Sequence, residues 1–330
     1  VNGVRLAQAF TLRELVARFG GVLDPALGDR QVDRVLSAAS LAGGHAPSTS
    51  ARSGRALVLW TSPRHALPAL PEEASCLCSP PLAERAAATP RWVHTHALWV
   101  VSELLAGAPG DREFRRSLAE PEPGGRIAAD VIIEPGAVIH EQACIGAGSR
   151  IGPNAVIYAG VEIGRRVDIG AGAVIGRAGF GFTESPNREL VRVPHLGGVV
   201  IEDDVEVGAL CTVDAGVLSA TRLGRGVKLD AHVHVAHNVE IGAHARVAAQ
   251  SGFAGSVVLE ARVLVGGQSG VADHVRVGEG AQLAAKSGVI GDIPAGLTVA
   301  GFPAVPRQHW LRAMANLLRR DRTPRSRRRS

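Results

Sequence analysis

Large apolar residues recur every six positions through the middle of this chain. Ile127, Ile133, Ile139, Ile145, Ile151, Ile157, Ile163, Ile169 and Ile175 form an unbroken run, which resumes at Ile201, Val207 and Val213. After a slip of four residues it continues through Leu223, Leu229, Val235, Ile241, Val247, Phe253, Leu259, Val265, Val271, Val277, Leu283 and Val289. All 24 positions are apolar. Glycine often follows at once, as at Gly146, Gly152, Gly164 and Gly242, and a small or β-branched residue such as Ser149, Ala155, Val161, Val233 or Ser251 sits four places on. A rhythm of six matches neither helix nor ordinary strand periodicity. It predicts short strands joined by tight turns, with each hexad forming one side of a coil. One large side chain then fills the interior, and Gly supplies the corner's backbone angles.

With three sides per coil, the pattern resembles the left-handed parallel β-helix of hexapeptide-repeat proteins, and the hexads predict about eight coils. Two interruptions break the rhythm. One is an excursion from Gly176 to Val200 that carries Gly179-Phe180-Gly181-Phe182 and Pro194-His195-Leu196-Gly197. The other is a short slip from Leu218 to Arg222. Loops thrown out of a solenoid commonly line a binding surface. Before the repeat, residues 1–120 predict a separate α/β domain. Thr11-Leu12-Arg13-Glu14-Leu15 marks a capped helix start, Arg55–Trp60 a strand and Trp92–Leu105 a second helix. The repeat domain spans residues 121–299. From residue 300 onward, Pro306–Arg320 predicts a helix with Trp310, Leu311, Met314, Leu317 and Leu318 on its packing side, followed by an Arg-rich tail. The expected fold class is therefore mainly β: a β-helix flanked by an N-terminal α/β domain and a C-terminal helix.

Composition narrows the picture. The 330 residues are 46% hydrophobic and 20% charged, which excludes disorder for most of the chain. Forty glycines against only 4% aromatics fit narrow, regularly turning β structure. The net charge of +5 is local, because nine Arg and a single acid, Asp321, lie between Arg307 and Ser330. No apolar run is long enough for a transmembrane helix and no signal peptide is visible, so a cytoplasmic protein is expected. Four cysteines (Cys76, Cys78, Cys144, Cys211) are too scattered for a disulfide framework or a zinc knuckle. Cys211 is expected in the core and Cys144 at a turn.

Stacking arithmetic locates candidate chemistry. Residues 18 apart sit above one another on successive coils, about 4.8 Å apart. His237 then stacks on Gly255 and Asp273, and the neighbouring column holds Asn238, Ser256 and His274. His237 is a candidate general base, and the Gly255 N–H a candidate donor to an oxyanion. The competing reading makes these histidines decoration on solvent-facing turns. His232, His234 and His237 also have metal-ligand spacing, which keeps open a trimeric zinc lyase of carbonic-anhydrase type. No P-loop, dinucleotide fingerprint or nucleophile elbow is present.

From Leu229 to Gly242 the chain reads Leu-Asp-Ala-His-Val-His-Val-Ala-His-Asn-Val-Glu-Ile-Gly, which closely resembles the UDP-3-O-acylglucosamine N-acyltransferases of lipid A biosynthesis. Gly179-Phe180-Gly181-Phe182, Val193-Pro194-His195-Leu196-Gly197, Val213-Asp214, Ala254-Gly255-Ser256 and Gly301-Phe302-Pro303-Ala304 extend the resemblance. It implies that His237 is the base that activates a glucosamine 2-amino group and that Gly255 faces the thioester oxygen. It further implies that His274 is a second functional His, that Asp230 is an acid near the base, and that Phe180, Phe182, Asn238 and Ser256 contact substrate. The N-terminal domain resembles a uridine-binding domain, with Trp60, Ser62 and His65 as the candidate contacts. At Leu59, Ser62, His65 and Ala215 the chain departs from the family pattern, as a divergent paralogue would. The implied donor is a 3-hydroxyacyl chain on acyl carrier protein, and the implied acceptor a UDP-sugar. No cofactor is expected beyond the 4'-phosphopantetheine that arrives on the carrier, and no metal. The resemblance also implies a homotrimer with sites between subunits. Arg312, Arg319 and Arg320 are candidate carrier-binding residues, and no nucleic-acid partner is expected. A sugar-nucleotide acyltransferase using acyl-CoA is the alternative within the class.

Overall fold

The computed structural model describes residues 4–38, 41, 55–62, 67–70, 74–86, 89, 91–106 and 126–321. The hexads form strands mostly two residues long, wound into a left-handed parallel β-helix with three faces. Register follows the sequence spacing: Ile157 pairs with Ile139 on one side and Ile175 on the other. The first face runs from Ile132–Ile133 to Thr298–Ala300 and ends on the antiparallel strand Val305–Pro306, ten strands in all. The second runs from Val138–Ile139 to Gly288–Val289 with eight, and the third from Cys144–Ile145 to Arg276–Val277 with seven. Bridges at Ile127 and Ile293 lengthen the third face. The stack therefore exceeds the expected eight or so coils, because Ile293 and Thr298–Ala300 pair beyond Val289, the last residue of the hexad run.

Every hexad residue is buried except Ile133, which is only partly so. The glycines work differently from the expectation. Residues with φ near +60° sit three places after most of the apolar residues, as at His232, Asn238, Gln250 and Ser256. The Gly directly after the apolar residue is needed for space. A Cβ at Gly146 would lie 2.6 Å from the Gly164 carbonyl oxygen of the next coil, and one at Gly242 2.5 Å from the Ala261 nitrogen. Cys211 is buried as expected, whereas Cys144 belongs to a strand rather than a turn.

The N-terminal domain is a six-stranded sheet in the order Val4–Thr11, Gln31–Ser37, Ala56–Trp60, Ser75–Cys78, Arg91–Val93 and Val22–Leu23. The helix Leu12–Phe19 starts at Thr11 with a full capping box to Glu14. Trp92, expected on a helix, lies in a strand. Pairing of Arg91–Val93 with Val22–Leu23, and the indole N–H donated to the Gly20 carbonyl at 2.9 Å, draw it into the sheet. The helix itself begins at Ala97 and ends at Leu105. The boundary expected near residue 120 lies outside the described residues. Leu196, Val217 and Leu218 of the β-helix domain join this domain's hydrophobic cluster, and the helix Ala97–Leu105 packs on the hairpin Phe182–Glu184/Leu190–Arg192 of the excursion. The C-terminal helix Arg307–Asp321 forms as expected, but only part of its apolar stripe packs within the chain, with Trp310 lying against Gly301. It meets the last two strands of the first face, and Leu317 and Leu318 remain more than 60% exposed. No helix among the described residues is long and apolar enough to cross a membrane.

Candidate active site

The second face of the β-helix positions the site. In His234–Val235, Gly252–Phe253, Gly270–Val271 and Gly288–Val289, the second residue of each pair points inward and is buried. Strand alternation therefore turns His234, Gly252, Gly270 and Gly288 outward. Beyond each strand the chain turns a corner, and Asn238, Ser256 and His274 take φ values of 60°, 61° and 57°. Coil-to-coil bonds hold this corner in register. Ser256 N–H donates to the His237 carbonyl at 2.9 Å, and His274 N–H donates to the Gly255 carbonyl at 3.0 Å. The predicted stack of His237 on Gly255 is present. A Cβ at Gly255 would lie 2.5 Å from His237 Cε1 and 2.6 Å from Nε2, so the imidazole rests directly on the glycine backbone. Among the described residues no acceptor takes the Gly255 N–H.

Asn238 sets the tautomer of His237. Its Nδ2 donates to the Ser219 carbonyl at 2.8 Å and to Ser219 Oγ at 3.0 Å, which fixes the amide's orientation. Its Oδ1 then accepts from Val217 N–H at 3.1 Å and faces His237 Nδ1 at 3.2 Å. The proton therefore sits on Nδ1, and Nε2 keeps its lone pair, as a general base requires. Asn238, a candidate substrate contact, does not line the cavity and holds the His237 ring.

The acid that interacts with His237 is Asp214 rather than Asp230. The Asp230 carboxylate sits at another corner, accepting from Ala231 N–H at 2.7 Å and Ala249 N–H at 3.2 Å. Asp214 is fully buried, with Arg177 Nε 2.9 Å from one oxygen and His234 Nε2 3.8 Å from the other. Burial pushes its carboxyl pKa up, against the pull of Arg177, His234 and His237. An acid directly after an apolar hexad residue was visible in the sequence. Its burial was not, because the covering residues come from the excursion. That excursion also delivers His195, whose ring centre lies 5.2 Å from that of His237.

Asp214, His234 and His237 line one end of a cavity of about 1000 Å³. It runs from Phe180 and Asp214, past His237 and Gly255, along Gly252 and Gly270 to Ile290 and Phe302. Nothing lies within 4 Å of where a Cβ would stand at Gly252 or Gly270, so these two leave an open floor. At Gly288 the Phe302 ring fills that place and closes the far end. His274 and Asp273 line the cavity, as do Gln268 and Lys286.

Other sequence candidates fare unevenly. Phe180 is exposed and lines the cavity, while Phe182 packs edge-on against it at 5.3 Å and lies beneath the Arg192 guanidinium. Ser256 occupies the corner and does not line the cavity. Trp60 is buried among Leu36, Cys76 and Cys78 and is not placed to stack on a base. Ser62 follows it, half-buried, and His65 lies outside the described residues. Arg312 and Arg319 are exposed on the C-terminal helix, and the Arg320 side chain lies outside the described residues. His232, His234 and His237 do not converge, and among the described residues no group of three or more His, Cys, Asp or Glu could hold a metal ion.

Comparison with known proteins agrees with this geometry. Residues 124–158, 145–177 and 220–255 match the family model described as "Bacterial transferase hexapeptide (six repeats)". A UDP-3-O-acylglucosamine N-acyltransferase of Anaeromyxobacter dehalogenans (strain 2CP-C) is 53% identical over 144 residues, covering 42% of this chain and 41% of its own length. One from Methylobacterium sp. (strain 4-46) is 43% identical over 149 residues, covering 44% and 42%. The chain thus spans about two-fifths of the length of these relatives. Among solved structures, a UDP-N-acetylglucosamine acyltransferase from Francisella novicida superposes with a TM-score of 0.52 at 25% identity, covering 63% of this chain and 74% of its own. The Campylobacter jejuni enzyme gives 0.50 at 27% identity, covering 56% and 71%. The chain is a hexapeptide-repeat β-helix that resembles, over its matched stretch, the UDP-3-O-acylglucosamine N-acyltransferases.

Proposed function

We propose that this protein transfers a 3-hydroxyacyl chain from an acyl carrier protein thioester to the 2-amino group of UDP-3-O-(3-hydroxyacyl)glucosamine, a step of lipid A biosynthesis. The observation that carries the reading is the His237 imidazole, held in its Nδ1–H form by Asn238 and resting on the Gly255 backbone at the mouth of a groove.

An amine attacks a thioester through its nitrogen lone pair. As the C–N bond forms, His237 Nε2 takes the proton that the nitrogen must lose. The carbonyl oxygen becomes an oxyanion, which the Gly255 N–H stabilises by hydrogen bonding. The C–S bond then breaks, and the departing thiolate recovers the proton from the imidazolium. Asp214 interacts electrostatically with His237 across the site. The acyl tail lies along Gly252 and Gly270 toward Phe302, a run of two to three coils or about 10–14 Å.

In this reading neighbouring copies in a homotrimer wall the open side of the groove, since a solenoid face alone offers little concavity. Arg312 and Arg319 face an acidic carrier, and both substrates meet in the cytoplasm. The test incubates purified protein with 3-hydroxyacyl carrier protein or 3-hydroxyacyl-CoA and either UDP-3-O-acylglucosamine or UDP-N-acetylglucosamine, with products read by mass spectrometry. N-acylation of the first acceptor from the carrier is expected. O-acylation of the second would move the protein to the activity named for its solved neighbours, and transfer to neither would defeat the reading.

A further inference from the structure

Against the His237 ring stands an imidazole that the transfer reaction does not use. His195 stands in the excursion with its ring at 73° to that of His237. Its Nδ1–H donates to the Val193 carbonyl at 2.8 Å, so Nε2 is the bare nitrogen. That Nε2 is buried without a hydrogen-bond partner among the described residues. The fold gains nothing from such an atom, because an unpaired buried acceptor destabilises and a leucine would fill the space without that cost. The chain nonetheless makes room for the ring. A Cβ at Gly181 would lie 2.6 Å from its Cε1, and one at Gly179 would lie 3.1 Å from both its Nε2 and Asp214 Oδ2.

The adjoining residues tie this ring to the rest of the molecule. Leu196 packs in the hydrophobic cluster of the N-terminal domain, and its N–H donates to the Val217 carbonyl at 2.9 Å. Val217 N–H in turn donates to the Asn238 oxygen that faces His237 Nδ1. The base is thus held from two sides, by His195 against its ring and by Asn238 at its Nδ1. Both holds root in the segments on which the N-terminal domain sits.

We propose that His195 is a positioning residue for His237, a rigid uncharged ring that keeps the base's Nε2 facing Gly255 and the cavity. The inference rests on the acyl-transfer reading above. The charged or titratable groups around His195 are His237, Arg192, Arg177 and Asp214. Burial first, and then His237, lower its pKa to about 4. The ring therefore stays neutral near pH 7 and does not compete for the amine's proton.

The test compares the full-length parent with His195→Ala and His195→Gln in steady-state kinetics and thermal melting, with a crystal structure of His195→Ala. In His195→Ala, kcat is expected to fall about 10- to 100-fold, with KM for donor and acceptor within about threefold and cooperative melting retained. The crystal structure should show His237 turned from Gly255 or split between two rotamers. His195→Gln keeps an uncharged acceptor in place and should recover kcat to within about fivefold of the parent. A His237 ring unmoved in the His195→Ala crystal structure, or kcat within about twofold of the parent, overturns the proposal. A loss carried wholly by KM, or melting that loses cooperativity in both variants, overturns it as well. Should the parent itself transfer no acyl group, the reading of function falls, while the crystallographic comparison still decides this proposal.

Discussion

Replacing Gly255 with alanine perturbs the proposed chemistry at one point and leaves the fold nearly untouched. Gly255 does not occupy the left-handed φ region, so the backbone accepts a Cβ. That Cβ would stand 2.5 Å from His237 Cε1 and 2.6 Å from Nε2, whereas ordinary contact begins at 3.4 Å. The ring must therefore retreat by about 1 Å, and a reacting group misplaced that far costs about 100-fold in rate. Such a loss corresponds to about 2.7 kcal/mol of transition-state stabilisation. His237 is only half-buried, so it can move toward the cavity and spare the coil the strain of overpacking. Gly255→Ala should thus lower kcat about 100-fold while its melting temperature stays within a few degrees of the parent. The assay is acyl transfer at saturating donor and acceptor, run beside calorimetry. A kcat within about threefold of the parent would refute the claim that the His237–Gly255 contact organises the reaction.

Three further outcomes follow from the same geometry. Phe302→Ala should extend the acyl chains accepted and Gly270→Leu should exclude long ones, read by competing donors of different length; an unchanged preference in both would remove the glycine-floored groove as the acyl site. Because the His195 pKa falls from 6.5 to about 4 on folding, the unfolded chain binds a proton in that window and the folded one does not, so stability present above pH 6.5 is lost as pH falls. The loss from this group is on the order of 2–3 kcal/mol by pH 4.5, and His195→Gln should remove it from urea titrations compared at pH 7 and 4.5; equal losses in parent and variant would contradict the buried neutral ring. Neutralising Arg312, Arg319 and Arg320 together should raise KM for acyl carrier protein several-fold at low salt, with the effect fading as the Debye length shrinks to about 8 Å near physiological ionic strength. An unchanged KM at low salt would dissociate this helix from the carrier.

The β-helix was legible because each coil repeats one physical requirement. Ile151, Val207 and Val247 fill the same interior slot at different heights, so a spacing of six carries the fold and a spacing of 18 carries the stack. That arithmetic sufficed to set His237 on Gly255. It failed where contacts leave the lattice. Asp214 was passed over for Asp230 because only the excursion, folding back with Arg177 and His195 beside Asp214, marks Asp214 as the acid near His237. Trp60 looked available for stacking because its strand was visible, but the neighbouring strand that buries it under Cys76 and Cys78 was not. The exposed leucines of the C-terminal helix carry a similar lesson. Helical periodicity names a packing face without naming what lies opposite it.

The central claim is that His237 is the base of an acyl transfer, and its removal tests this most directly. In His237→Ala, measured with acyl carrier protein donor and UDP-3-O-acylglucosamine at saturation, kcat should fall about 10²- to 10⁴-fold. The melting temperature should stay near that of the parent, since the side chain packs outside the coil's core. Turnover within about threefold of the parent would contradict the account.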